Sequence, residues 1–265
     1  EGLKPKIKET ASMLWWIYLG FTVVEALILR ILDMSWHDAF CHAFATMATG
    51  GFSTKSGSIA EFGSAEIDIV ITIFMLFAGI NFGLYYGLIH GKVKALFKDR
   101  EFWTYLSVIG VATIVVTAAI YGTEPTDKHG TILESLRYAV FQVVAIVTTT
   151  GFGTDNFNLY PPLAKLLLVL LMFMGGMAGS TAGGMKIIRI QVVFKAIYVE
   201  IYKTFRPQSV MAVRLGDSVI PRETTTAILG FFAIGLLTFA GVSLYMTFLG
   251  LDLITATTAT AATLF

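Results

Sequence analysis

Cysteine is nearly absent. Cys41 is the only one in 265 residues, so no disulfide forms within the chain and no multi-cysteine metal cluster can be built. The four histidines, His37, His42, His90 and His129, show no ligand spacing of the H-E-x-x-H kind. Charge is scarce as well. Charged residues are 14% of the chain against 55% hydrophobic, where a soluble domain carries about 25% charged residues. So little charge cannot cover a water-soluble globule of this size. So much apolar side chain excludes disorder. A net charge of +1 leaves no electrostatic footprint for nucleic acid. A signal-peptide cleavage site is also missing. The apolar stretch after Glu1–Thr10 runs through Trp15, Trp16 and Tyr18 to Glu25 and Arg30, which reads as a membrane span.

What is present is long apolar runs. A bilayer-crossing helix needs about 20 mostly apolar residues. Five stretches qualify as spanning candidates: Thr10 to about Leu32, Ile69–Gly91, Phe102–Thr123, Leu166–Met185 and Thr224–Leu251. Between them lie shorter apolar segments rich in Thr, Gly and Ala: Trp36–Gly51, Leu133–Gly151 and Leu253–Phe265. These suit re-entrant helices, which are tolerated at membrane depth only where protein or a water-filled cavity surrounds their ends. Fourteen of the nineteen basic residues fall in the first tail, in Lys92–Arg100 and in Lys186–Arg222. By the positive-inside rule these segments face the cytoplasm, and the re-entrant helices enter from outside. The expected class is an all-α, multi-pass membrane protein.

The pattern of span, acidic outer loop, short re-entrant helix, Thr/Gly segment and long span occurs twice. The copies cover residues 1–97 and 98–201, and a third begins within 202–265. Gly-Phe-x-Thr at Gly51–Thr54 aligns with Gly151–Thr154. Counted from Thr224, a third such glycine falls due between about 263 and 273. The expectation is therefore a fragment that stops inside its third copy, with room for a further copy upstream.

The segments Thr49-Gly50-Gly51-Phe52-Ser53 and Thr149-Thr150-Gly151-Phe152-Gly153 read like potassium-channel filters. A cation crossing hydrocarbon must keep oxygen ligands, which backbone carbonyls in an extended strand can supply. Glycine allows successive carbonyls to point one way. The aromatic after it packs outward and braces the strand. The preceding helix aims its partially negative C-terminus at the ion. The expected cation ligands are at Thr49, Gly50, Gly51, Thr149, Thr150 and Gly151.

Five glycines stand within ten residues at Gly175–Gly184. Each costs about 0.5–1 kcal/mol in a helix, so the span breaks there and must line a cavity. Gly175, Gly176, Gly179, Ser180, Thr181, Gly183 and Gly184 are the candidate gate below the filter; small-residue helix packing is the alternative. The segment lacks the G-x-x-x-x-G-K-[ST] of a phosphate loop and the G-x-S-x-G of a hydrolase elbow. No nucleophile–base or metal constellation stands at usable spacing, so an enzyme is not expected.

Among single residues, Glu25 is an intramembrane carboxylate and so a functional candidate; a local pair with Arg30 is the preferred reading. Asn81 reads as an interhelical hydrogen-bonder. His37 and His42 read as interfacial. Asp38 and Asp155 sit near the outer mouth, either concentrating cations or as solvated loop charge. Trp15, Trp16, Trp36 and Trp103 fit interfacial anchors.

Ala48–Thr54, Thr148–Gly153, and Gly175–Lys186 with Ile187-Ile188-Arg189 resemble the TrkH branch of the Trk/Ktr/HKT potassium transporters, over nearly the whole chain. The resemblance implies helix–pore-loop–helix repeats around a pseudo-fourfold pore. This chain would hold the second and third repeats and the start of the fourth, with 175–185 as the intramembrane gating loop. It further implies potassium as the transported ion and no covalent cofactor. The expected setting is a homodimer in a prokaryotic inner membrane, with a TrkA-like nucleotide-binding ring on the cytosolic side. A secondary transporter binding a small solute at the broken helix 175–184 is the alternative; it predicts inverted repeats.

Overall fold

The structure is a computed structural model. It describes residues 3–123, 126–206, 211–216 and 218–265, with the side chains of residues 3–10, 126 and 127 left aside. Twelve helices are described: α1 Leu3–Ile31, α2 Trp36–Met47, α3 Ala65–Ala78, α4 Phe82–Ile89, α5 Val93–Lys98, α6 Arg100–Ile120, α7 Thr126–His129, α8 Ile132–Val147, α9 Pro162–Met172, α10 Ile187–Phe205, α11 Arg222–Phe248 and α12 Leu253–Leu264. A two-residue antiparallel hairpin, β1 Arg214–Leu215 with β2 Ser218–Val219, follows α10.

Among the described residues, three helices are long and apolar enough to cross a membrane: α1, in its stretch Ala11–Ile31, α6 and α11. The expected span Ile69–Gly91 is not one straight helix. It divides into α3 and α4, bent by 93° at Gly79–Asn81. Gly79 is wedged there against the Tyr105 hydroxyl and the Thr148 methyl group. Asn81 is therefore not the interhelical hydrogen-bonder expected of it. Its side chain caps α4, accepting from Gly83 N at 2.8 Å. The expected span Leu166–Met185 is helical only to Met172, where the 11-residue α9 ends; non-helical chain follows up to Lys186, which takes the N-cap position of α10.

The short helices start on strong caps. Ser35 caps α2, Thr131 and Glu134 form a capping box on α8, and Asp252 caps α12. Each closes the helix at its loop end and leaves the partially negative C-terminus facing inward. Helix α2 packs on α1, and α8 on α6, α3 and α9. The largest buried cluster joins the two halves through Leu29, Ile71, Met75, Tyr105, Phe141 and Phe152. Both short helices are thus held at their far ends by a packed core, where the next segments leave them.

Candidate functional site: two threonine–glycine turns above a glycine loop

The two turns are built alike. Helix α2 ends at Ala48 with φ −80° and ψ −3°, and α8 at Thr148 with φ −81° and ψ −1°. Thr49 N bonds Thr46 O, and Thr149 N bonds Ile146 O. The carbonyl of Ala45 takes both Gly50 N and Gly51 N, and the carbonyl of Ala145 takes both Thr150 N and Gly151 N. Positive φ recurs at Thr49 (52°) and Gly51 (66°), then at Thr149 (57°) and Gly151 (81°). Glycine takes this backbone freely; a β-branched threonine does not. The left-handed threonines are the feature that composition alone did not announce. Two stretches a hundred residues apart therefore hold the same backbone, with left-handed residues alternating.

The turns also touch. A Cβ placed on Gly51 would collide with the carbonyl oxygen of Thr150. Beyond the turns, Gly153 N donates to Ser58 Oγ at 3.2 Å and Gly153 O accepts from Ala60 N at 3.0 Å. The exit of the second turn is thus fastened to the segment that follows the first.

The aromatics after the glycines part company. Phe152 is fully buried, its ring 5.9 Å from that of His42. Phe52 is 80% exposed among the described residues. The expected brace forms at the second turn and not at the first.

The glycine loop lies against both turns. Thr49 Oγ1 donates to Thr181 O at 3.1 Å, and Gly183 N donates to Thr149 Oγ1 at 2.6 Å. On its other side the loop is stitched to the α3–α4 bend. Met177 N bonds Gly79 O, Phe82 N bonds Gly179 O, and Thr181 bonds Ala78 O through both its N–H and its hydroxyl. All seven predicted loop residues therefore lie in one segment beneath the turns. Gly175 and Gly184 stand at its base, where a Cβ on Gly175 would strike the Gly183 carbonyl. Gly176 backs onto Gly79 and Ala182.

Two charged residues that sequence reasoning passed over hold the loop. Glu101, at the start of α6, accepts from Ala178 N at 2.7 Å and from Ile188 N at 3.3 Å. Lys186 donates to the carbonyls of Ala182 and Ser180. Glu101 lies 77 residues before Ala178, so no local pattern relates them.

Several single-residue expectations are corrected. Glu25 does not pair with Arg30. It is fully buried, and neither carboxyl oxygen has a hydrogen-bond partner among the described residues. Arg30 instead donates to Met34 O and lies over Trp36. Asp155 is not a solvated or cation-collecting loop acid. Its buried carboxylate bonds His129 Nε2 at 2.9 Å and Lys128 Nζ at 3.1 Å. Asp38 takes hydrogen bonds from Thr54 at 2.5 Å and Ser35 at 2.8 Å, which hold its carboxyl below the ordinary range. His37 is exposed, but His42 is buried rather than interfacial. It lies 2.9 Å from Ser53 Oγ, a nucleophile–base distance that the sequence spacing did not reveal. Ser53 also accepts from Lys55 N, and the ring's third partner is a backbone carbonyl. That makes the pair a strut rather than a reaction centre.

Paired short helices ending in like threonine–glycine turns, over a non-helical loop inside an apolar helical body, mark an all-α membrane protein. The comparisons agree with this class and narrow it. The family model described as TrkH, cation transport protein, matches residues 2–264, and the chain belongs to that family. It is 37% identical over 263 residues to the Trk system potassium uptake protein TrkH of Escherichia coli K12. It is 29% identical over 264 residues to the Trk system potassium uptake protein TrkG of the same organism. Each alignment covers 99% of this chain, but only 54% and 53% of those relatives; the chain spans about half their length. The crystal structure of the potassium transporter TrkH from Vibrio parahaemolyticus matches with a TM-score of 0.90 and 33% identity, over 99% of this chain and 56% of that one.

Proposed function

We propose that this chain supplies two filter strands and the gate of a potassium uptake protein. Potassium sheds water onto the carbonyls of Thr49, Gly50, Gly51, Thr149, Thr150 and Gly151, flanked by Phe52, Phe152 and Gly153. It then passes the 175–185 loop and enters the cell. An inside-negative potential contributes about 2.3 kcal/mol per charge per 100 mV. The observation that carries this reading is the repetition of one backbone at Thr49–Gly51 and Thr149–Gly151, in contact at Gly51 and Thr150, with a single loop bonded to both threonines. Alternating left-handed residues turn successive carbonyls toward a common side, as a carbonyl cage for a bare cation requires. The names of these relatives, potassium uptake proteins, support potassium as the ion.

The units follow the repeat: residues 1–97, then 98–201 with the gating loop, then 202–265 leading into a further copy. The basic segments face the cytoplasm of a prokaryotic cell, whose inner membrane the protein spans several times. It works as a homodimer, with a TrkA-like nucleotide-binding ring lying near Lys186–Arg222.

The test is rubidium-86 uptake by cells lacking their own potassium uptake systems, expressing the full coding sequence together with its regulator. Uptake that potassium competes away, and that Gly151→Asp abolishes, is the expected result. No rubidium uptake from well-expressed protein overturns the reading.

A further inference from the structure

His42 reaches from α2 to Ser53, beside the first turn, and to Phe152, beside the second. Its Nδ1 lies 2.7 Å from the carbonyl of Asp38. A carbonyl only accepts, so Nδ1 carries a proton. In the neutral ring Nε2 then accepts from the Ser53 hydroxyl at 2.9 Å. Ser53 Oγ in turn accepts from Lys55 N at 3.1 Å. This chain of bonds fixes the residue that leaves the first turn. The same ring packs edge-on against Phe62 at 5.2 Å and lies 5.9 Å from Phe152, the aromatic of the second turn. Phe62 closes the 3-10 turn Ser58–Phe62, which itself holds Gly153. His42 is fully buried among these groups.

From this geometry we infer that His42 is a positioning residue for ion discrimination, holding the outer ends of both filter strands in register through its bond to Ser53 and its contact with Phe152. The inference rests on the proposed filter. A carbonyl cage discriminates by where its oxygens stand and how they point. Ser53 follows directly on the first set of proposed ligands. Loss of its tie to α2 lets that end shift, while the pore helix and its packing persist.

The experiment is paired uptake of rubidium-86 and sodium-22 by the full coding sequence in uptake-deficient cells, with membrane protein quantified. His42→Phe keeps the ring and loses both hydrogen bonds. Ser53→Ala removes the same tie from a half-buried position without disturbing the core. Each lowers the rubidium-to-sodium ratio about tenfold, and the double variant is no lower than either single. His42→Gln, whose amide oxygen can accept from Ser53, restores most of the discrimination. A ratio within twofold of the unsubstituted protein in Ser53→Ala overturns the inference. So do additive losses in the double variant, and so does a His42→Gln variant as poor as His42→Phe. Where the unsubstituted protein takes up rubidium, such results leave the proposed filter standing. Where it takes up none, the filter reading falls and this one with it.

Discussion

Thr49 and Thr149 stand a hundred positions apart and touch the same loop in opposite senses. The Thr49 hydroxyl shares its proton between Ala48 O and Thr181 O, whereas the Thr149 hydroxyl accepts from Gly183 N. The proposed gate is thus bonded to the proposed filter at two points. Replacing Thr149 by Val leaves Gly183 N without its acceptor, at about 1 kcal/mol. That is roughly a fivefold shift toward a released loop. Thr149→Val is expected to raise rubidium uptake severalfold at unchanged expression, and Thr149→Ser to leave it near the original. Initial rates normalised to membrane protein check this.

The two glycines of the first turn separate conformational from steric demands. Gly51 has φ 66°, and an added Cβ meets the Thr150 carbonyl. Gly50 is not at positive φ, and its nearest neighbour is the exposed Phe52 ring at 3.3 Å, which can yield. Gly51→Ala bears about 1–2 kcal/mol of left-handed strain in addition to the clash. It is expected to cut uptake at least tenfold, while Gly50→Ala loses less than threefold. Equal losses from both would mean that the contact between the turns does not matter.

Glu101 and Lys186 grip one loop from its N–H side and its carbonyl side. Hydrogen bonds to charged groups contribute about 1.5–3 kcal/mol each. Glu101→Ala and Lys186→Met should each raise uptake measured without the cytosolic regulator. Because both act on the same element, the double variant should fall short of the product of the singles. A double-mutant cycle on uptake rates reads the coupling directly.

Asp38 gives a pH signature. Its folded carboxyl lies below the ordinary range because Thr54 and Ser35 donate to it. A depressed folded value contributes stability that is complete above the unfolded value, near 3.9, and is lost as pH falls through the folded one. The melting-temperature gap between the unsubstituted protein and Asp38→Asn is therefore expected to stay flat from about pH 8 to 5. It should close only below about pH 4. Thermal unfolding in detergent across that range checks it.

The likeness of the two turns was legible because Gly-Phe-x-Thr marks two positions with the same backbone requirement, and the structure sets Gly51 and Gly151 in equivalent hydrogen-bond registers. The helix ends were legible too. Trp36, Ile132 and Leu253 begin α2, α8 and α12 within a residue of the apolar segments that announced them. The 93° bend was not. Asn81 read as an interhelical hydrogen-bonder within one span, and only Tyr105 and Thr148, packed around Gly79, reveal the corner. Asp155 looked solvated because its partners His129 and Lys128 precede it by 26 and 27 positions. His42 looked interfacial because nothing in its own helix announces Phe62, Ser53 or Phe152. Charge and polarity can be read locally, but desolvation depends on partners that the fold brings in.

Lys186 ends the loop and begins α10 at once, with φ 59° and no spacer between them. Glu101 binds Ala178 within the loop and Ile188 just inside α10. A rigid rod of nineteen residues is therefore soldered to the flap beneath the turns. A tilt of its far end loads the bonds of Lys186, Ile187 and Ile188 to the flap together. Torque applied at Phe205, some 28 Å away at 1.5 Å per residue, reaches the proposed ion path without a messenger segment in between.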